Sequence, residues 1–265
     1  MRMNYIFAAH TDVGIRKSTN QDSVLIMTAE SDFGPICMGV ICDGMGGLAN
    51  GELASATLIR AFQVWFRTEL PKLLVQGFSQ DELRIQWNDL IHRESRRIAD
   101  HGDRHHMRMG TTVAALLLLP GQYHIVNVGD SRVYLLDQAL HQLTKDQTFV
   151  QREMELGRMT GEEAARHPQR NVLLQCVGAS DTIEPDFFSG PIGQKVSFLL
   201  CTDGFRHALS PEEIYQRFAP GLLCSEQMIR ENEIYLTELN KSRMENDNIS
   251  VAVIKICGEG PICSR

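Results

Sequence analysis

Apolar residues recur along this chain with two different spacings. Within residues 51–70, and again from Ser79 onward, they return every three or four positions, which predicts two amphipathic helices. Ser79 and Glu82 have the spacing of a capping box at the start of the second helix. Short continuous apolar runs bounded by glycine and aspartate predict buried strands, and they cover residues 36–42, 111–119, 122–136, 196–201 and 249–256.

Two more helices are predicted in the second half of the chain. Ser210, Pro211 and Glu213 supply a cap, a first-turn proline and a capping-box glutamate for one of them. The other spans about residues 225–239, just before the last apolar run. Strand runs joined by turns, with helices grouped in pairs, predict an α+β layered fold.

Four short stretches of the chain carry an aspartate where an apolar strand begins or ends. These aspartates are Asp22, Asp43, Asp203 and Asp247. Carboxylates repel one another, so several of them at neighbouring strand ends are hard to explain without a cation between them. Oxygen ligands without histidine or cysteine nearby suit Mg²⁺ or Mn²⁺ rather than Zn²⁺. A single Asp-Gly pair is more simply a turn, but the four together favour a metal site.

Composition narrows the class of protein without identifying it. The 265 residues suffice for one domain with a sizeable core, and nothing marks an internal boundary. A formal net charge of −7 argues against general nucleic-acid binding. The longest apolar stretch, 113–119, is far too short for a membrane span, and no signal peptide is expected. Seven cysteines without a C-x-x-C motif predict reduced thiols in a cytoplasmic protein.

The aspartate segments belong to a longer ordered set of short motifs. In chain order they are Thr11-Asp12-Val13-Gly14 through Asn20-Gln21-Asp22-Ser23, Val40 through Gly47 with Gly51-Glu52-Leu53-Ala54-Ser55, Gly110-Thr111-Thr112, Val128-Gly129-Asp130-Ser131-Arg132, Leu143-Thr144-Lys145-Asp146, Cys201-Thr202-Asp203-Gly204 and Asp247-Asn248-Ile249-Ser250. This set resembles the metal-dependent protein phosphatases of the type 2C family, in a compact bacterial form. One such motif means little, whereas the ordered set spans nearly the whole chain.

The resemblance implies a fold. It is a four-layer α-β-β-α sandwich, in which two mainly antiparallel sheets carry helices on both outer faces. Residues 1–257 would form a single catalytic domain, and residues 258–265 a short tail.

The resemblance also implies a reaction, the hydrolysis of phosphoserine or phosphothreonine on proteins by a water that bridges two Mn²⁺ or Mg²⁺ ions. Asp43 would bridge both ions, and the carbonyl of Gly44 would bind one of them. Asp203 and Asp247 would hold the other ion, while Asp22 would bind an ion or orient its water. Asp22 and Asp43 are thus the predicted catalytic residues. Expected partners are phosphorylated proteins and a cognate Ser/Thr kinase whose signalling the enzyme reverses, with no nucleic acid.

Two further aspartates allow more than one interpretation. Asp130 lies between two apolar runs and could be a solvated residue of a tight hairpin turn. The resemblance instead makes it a ligand of a third, weaker ion, which is the interpretation we favour. At Asp146 the family usually has Asp-His, whereas this chain has Asp146-Gln147. We therefore predict that Asp146 caps a helix starting near Thr148.

The chain departs from the family pattern at two places. Eukaryotic members have a histidine, proposed as the acid for the leaving group, where this chain has Met45, so a metal-bound water or another group must supply that proton. The family's phosphate-binding arginine usually stands where this chain has Lys17, with Arg16 one position earlier. On a strand these two side chains would point to opposite faces. Family spacing favours Lys17 as the phosphate ligand, although an exposed basic strand edge would also explain the pair.

Two other functions are compatible with such a chain. A pseudophosphatase would keep the fold as a binding or scaffold module, but such relatives usually lose metal-ligand aspartates that this chain keeps. A small-molecule phosphohydrolase is not excluded by any sequence feature.

Overall fold

The computed structural model describes residues 4–46 and 50–257. The strands in this part of the chain are β1 (Asn4–Asp12), β2 (Asp22–Ser31), β3 (Gly34–Gly46), β4 (Met109–Thr111), β5 (Val113–Leu119), β6 (Gln122–Val128), β7 (Arg132–Leu136), β8 (Leu140–Gln142), β9 (Asp186–Pro191), β10 (Ser197–Cys201) and β11 (Ile249–Cys257). The helices are α1 (Gly51–Thr68), α2 (Leu70–Val75), α3 (Gln80–Arg104), α4 (Phe149–Glu155), α5 (Gly161–Arg166), α6 (Asp203–Arg206), α7 (Pro211–Phe218) and α8 (Glu226–Ser242).

The strands form two antiparallel sheets. Sheet A has the order β1-β11-β10-β7-β8, and sheet B has the order β2-β3-β5-β6-β9, with β4 paired to the end of β3. In sheet A the first strand pairs with the last along its whole length, from Asn4 opposite Cys257 to Asp12 opposite Ile249. In sheet B, β2 and β3 form a long hairpin in which Asp22 lies opposite Asp43.

Three apolar clusters hold the layers together. Phe62 on α1 and Trp87 on α3 pack against the outer face of sheet B. Phe198 belongs to the cluster between the two sheets. Phe218 on α7 and Leu236 on α8 cover the outer face of sheet A. Each of these side chains is almost fully removed from water, which supplies the main driving force for stacking the layers. The predicted four-layer α-β-β-α sandwich is confirmed.

The predicted helix starts are confirmed. They could be predicted because each depends only on residues that are close by in the sequence. The hydroxyl of Ser79 accepts a hydrogen bond from the backbone N–H of Glu82 at the start of α3. Ser210 and Glu213 form a complete capping box at the start of α7. The first predicted helix ends two residues early, at Thr68, and the short helix α2 follows it.

The segment around Asp130 differs from a hairpin. The strands that it joins, β6 and β7, belong to different sheets, so residues 129–131 carry the chain from sheet B to sheet A. Gly129 has a φ of +100°, a conformation that glycine adopts at little cost. Asp130 is therefore placed between the two sheets, at the same end of the sandwich as the other predicted aspartates.

Two predictions fall at the limits of the described chain. The predicted tail, residues 258–265, and Gly47 of the second motif lie outside the described residues. Within residues 4–46 and 50–257, no helix combines the length and the apolar character that crossing a bilayer requires.

Candidate metal centre

The strand-end aspartates meet at one end of the sandwich. Asp22 opens β2 and faces Asp43 across the hairpin, while Asp203 opens α6, which Thr202 separates from β10. Asp247 lies two residues before β11, which pairs with β10. A cleft of about 390 Å³ opens here, and the residues lining it are Lys17, Gln21, Asp43, Gly44, Met45, Gly46, Asp130, Asn171, Leu173, Cys176, Asp203 and Asp247. Of the six predicted metal-binding residues, five line this cleft and Asp22 lies buried beside it.

Gly44 has no space for a side chain. A Cβ atom at this position would lie 2.2 Å from the carbonyl oxygen of Gly51 and 2.5 Å from that of Gln21. Glycine lets the end of β3 pass this close to the start of α1. The backbone of Gly44 thereby reaches the cleft, where its carbonyl oxygen was predicted to bind an ion.

The carboxylates of the cleft are crowded and poorly solvated. Burial, with the nearby charges of Asp203 and Asp247, raises the pKa of Asp22 to about 7. Burial and the charge of Asp22 raise the pKa of Asp43 well above its usual range, and burial also raises the pKa of Asp203. A divalent cation would reverse these shifts because it stabilises the ionised form of every neighbouring carboxylate.

Two buried carboxylate oxygens show that these residues are suited to bind such a cation. Oδ1 of Asp22 and Oδ1 of Asp203 have no hydrogen-bond partner within the described chain. Buried polar atoms are normally paired, so these two oxygens are available as ligands. As they stand, no three carboxylate, imidazole or thiol groups of the described residues converge closely enough to enclose an ion. The oxygen donors that line the cleft are of the kind that suits Mn²⁺ or Mg²⁺.

Lys17 reaches the centre and Arg16 does not. Nζ of Lys17 lies 3.0 Å from Oδ1 of Asp247. Arg16 is exposed and lies outside the described lining of the cleft. The expectation that both stand on a strand was wrong, because residues 13–21 form a loop between β1 and β2. Gly14, with a φ of +76°, turns the chain within this loop.

Asn248 is a residue whose role the sequence did not reveal. Its Oδ1 accepts a hydrogen bond of 2.9 Å from the backbone N–H of Gln21. Its Nδ2 donates to the carbonyl oxygens of Val13, at 2.9 Å, and Thr19, at 3.1 Å. The amide therefore fixes the loop that carries Lys17 to the segment that carries Asp247. Its position directly after Asp247 in the last motif was the one available signal.

Thr202 holds Asp22 in place. Its Oγ1 donates a hydrogen bond of 3.0 Å to Oδ2 of Asp22, which leaves the other carboxylate oxygen unpaired. Thr202 also accepts a hydrogen bond from the backbone N–H of Ser250 on β11. Strand β2 of sheet B is thus tied, through the residue that follows β10, to β11 of sheet A beside the centre.

Asp146 does not cap a helix, so that prediction was wrong. Thr148 caps α4, because its hydroxyl accepts a hydrogen bond from the backbone N–H of Gln151. Asp146 instead receives two hydrogen bonds of 2.7 Å from Nε and Nη2 of Arg132. Nη2 of Arg206 lies 3.4 Å from the same carboxylate and 3.4 Å from Oδ2 of Asp130. These four side chains form a buried ionic cluster beside the cleft.

His207 is a second neighbour that the sequence did not reveal. Its Nε2 lies 3.6 Å from Oδ2 of Asp203, and its Nδ1 lies 3.7 Å from Oε2 of Glu245. Burial, together with the positive charge of Arg206, lowers the pKa of His207. Met45, by contrast, lines the cleft with a side chain that cannot donate a proton.

Comparison with known proteins identifies the family. Residues 11–240 match the family described as Protein phosphatase 2C. A relative from Streptococcus pyogenes, the "Putative protein phosphatase 2C-type", is 30% identical over 247 residues, which cover 92% of this chain and 94% of the relative. The structure of the Streptococcus agalactiae serine/threonine phosphatase superimposes with a TM-score of 0.80 at 30% identity, covering 95% of this chain and 99% of that one.

A third comparison bears on the metal. The catalytic domain of the serine/threonine protein phosphatase PstP in complex with 2 manganese ions superimposes with a TM-score of 0.76. It is 27% identical, and the match covers 97% of this chain and all of that domain. The present chain belongs to the protein phosphatase 2C family, so the predicted family and the predicted class of metal-dependent phosphatase are confirmed.

Proposed function

We propose that this chain hydrolyses phosphoserine and phosphothreonine on proteins with two Mn²⁺ or Mg²⁺ ions held in the cleft. The observation that carries the proposal is the gathering of Asp22, Asp43, Asp203 and Asp247 at one end of the sandwich. Burial raises the pKa of the first three, and one oxygen of Asp22 and one of Asp203 have no hydrogen-bond partner among the described residues. Membership of the phosphatase family and the named activity of the S. agalactiae relative support the choice of substrate.

Each residue has a role in this proposal. Asp43 would hold both ions, and the carbonyl of Gly44 would hold one of them. Asp203 and Asp247 would hold the other, and Asp22, whose carboxylate accepts a hydrogen bond from Thr202, would orient the attacking water. When bound, the two ions acidify that water for direct attack on phosphorus and offset the charge of the leaving oxygen.

Lys17 is the proposed phosphate ligand. Here its ammonium is paired with Asp247. If that carboxylate held an ion, the ammonium would be free to turn toward a phosphoryl oxygen in the cleft. Lysine would bind that oxygen as a point charge, without the two-pronged contact of an arginine.

The setting of the enzyme is also part of the proposal. We place it in the cytoplasm as one catalytic domain, residues 1–257, that opposes a cognate Ser/Thr kinase. The six cysteines of the described chain are all free thiols, which suits a reducing compartment. Four of them are buried.

One experiment tests the reaction and the substrate class together. Phosphate release from a phosphothreonine peptide is measured with added Mn²⁺, after dialysis against a chelator, and in parallel with a panel of metabolite phosphates. We expect turnover of the peptide that requires the metal. Full turnover by the dialysed protein would contradict the metal mechanism. Faster release from a metabolite would favour a small-molecule phosphohydrolase, and no release from any substrate would favour a binding module.

A further inference from the structure

One nitrogen atom at the edge of the metal centre lies against three oxygens. Nη2 of Arg206 is 3.2 Å from the backbone carbonyl oxygen of Asp130 and 3.4 Å from its Oδ2. The same nitrogen is 3.4 Å from Oδ2 of Asp146. A carbonyl and two carboxylate oxygens are also the ligands that a hard metal ion would select. The guanidinium group therefore meets the oxygens that a third ion at Asp130 would need.

We propose that Arg206 is a resident cation at Asp130, and that this chain consequently binds two ions and no third ion there. The inference rests on the proposed two-ion centre and concerns what lies beside it. Asp130 would then be the ion-pair partner of Arg206, which positions its carboxylate, and not the ligand of a metal ion.

Burial fixes the guanidinium in this place. The side chain of Arg206 is 12% exposed and that of Asp130 is 7% exposed. Arg206 is the last residue of α6, the single helical turn that begins with Asp203, so its backbone is tied to the metal centre. A guanidinium buried in this way is not readily replaced by an ion from solvent. Lys17 differs, because its side chain is 42% exposed and an ion can take its place beside Asp247.

The formal positive and negative charges of the cluster are equal in number. Arg132 takes both oxygens of Asp146 with two bonds of 2.7 Å, which leaves Arg206 to compensate Asp130. The cluster thus contains two guanidinium groups and two carboxylates. A divalent ion added at Asp130 would lie in a buried space next to a fixed positive charge, where repulsion is poorly screened. The residues present do not fit a third ion.

The binding stoichiometry tests this directly. Mn²⁺ bound per chain is measured by equilibrium dialysis and elemental analysis in the wild type and in Asp130→Asn, with circular dichroism to verify folding. We expect two ions in both proteins, because Asp130 holds none. If the wild type binds a third ion and Asp130→Asn loses it, the inference is overturned but the proposed function is not. Fewer than two ions in the wild type would overturn the proposed function, and the inference with it.

Substitutions of Arg206 give the second arm. Arg206→Gln removes the resident charge, so we expect one additional, weaker Mn²⁺ ion, which the double variant with Asp130→Asn loses again. Arg206→Lys keeps a positive charge and should stay at two ions. Arg132→Gln is the matched control, because it removes a guanidinium of the same cluster that does not contact Asp130. A folded Arg206→Gln protein that still binds two ions would overturn the inference. If that variant does not fold, the comparison of wild type with Asp130→Asn decides the question.

Discussion

Two groups of aspartates lie side by side at one end of this molecule and are stabilised differently. In the metal centre, Asp247 is paired with the partly exposed Lys17 and Asp203 lies near His207, while Asp22 and Asp43 have no ion pair among the described residues. In the neighbouring cluster, Asp130 and Asp146 face two arginines. The first group keeps an excess of negative charge that soluble cations can compensate, whereas the second is compensated by the chain itself. A buried aspartate in this fold is therefore evidence for a metal only when its countercharge is missing.

The largest effect is expected from removing one carboxylate of the metal centre. Asp43→Asn should lower kcat with Mn²⁺ by orders of magnitude, because it removes the ligand shared by both ion positions. The same change should raise the melting temperature of the metal-free protein, since it relieves repulsion among buried charges. Steady-state hydrolysis of a phosphopeptide and thermal melting in chelator measure the two effects.

The matched control for this prediction lies on the same hairpin. Asp32 is exposed at the turn between β2 and β3, at the far end from Asp43. Asp32→Asn should change neither kcat nor the melting temperature of the chelated protein. Near-normal activity of Asp43→Asn in the presence of Mn²⁺ would show that the shared ligand has been assigned to the wrong residue.

A smaller effect is expected from the exchangeable lysine. Lys17→Ala should lower kcat/KM by about tenfold or more, the usual worth of a hydrogen bond to a charged group. Arg16→Ala is the matched control and should have little effect, because its side chain lies outside the cleft. Kinetics of both variants on one phosphopeptide decide the matter. Loss with Arg16→Ala alone would reverse the assignment, and loss with neither would mean that the ions alone hold the phosphate.

A third kind of buried carboxyl group sharpens the comparison. Glu233 on α8 is fully buried, and neither of its oxygens has a hydrogen-bond partner among the described residues. Burial raises its pKa from 4.5 to about 9. With no ion-paired side chain among the described residues, this group avoids the cost of burial by staying protonated at neutral pH.

The smallest effect therefore concerns stability rather than activity. The folded state holds the proton of Glu233 more tightly than the unfolded state, so the free energy of unfolding falls as pH rises from about 4.5 to about 9. Glu233→Gln should remove this loss and gain ~1–3 kcal/mol at pH 7, but nothing at pH 4. Urea unfolding at the two pH values measures the difference. An equal effect of the substitution at both would contradict a protonated Glu233, and kcat should not change.

Sequence reasoning succeeded where the determining contacts are local. The caps at Ser79 and Ser210 depend on residues three positions away, and the apolar runs that form the strands are continuous. The ordered motifs placed Asp22, Asp43, Asp203 and Asp247 at strand ends that do converge. These features could be predicted because each motif contains its own structural information.

Sequence reasoning failed where a partner is distant along the chain. Arg206 stands 60 or more positions from both aspartates that it contacts, and no local pattern connects them. Asp146 was taken for a cap because it precedes a helix, although Thr148 is two positions closer to that helix. The apolar runs on either side of Gly129 did not reveal that they enter different sheets.

The pairing of β1 with β11 has a consequence for synthesis of the protein. The loop that carries Lys17 is fixed by Asn248, and Asp22 is fixed through Thr202 and Ser250. A nascent chain that has emerged only as far as α8 therefore lacks Asp247, the amide that orders the first loop and the strand that covers β1. Contacts between segments so far apart in the sequence are slow to form, because a long loop must close first. Hydrolysis is therefore expected to begin only after the segment that carries Asp247, Asn248 and β11 has left the ribosome.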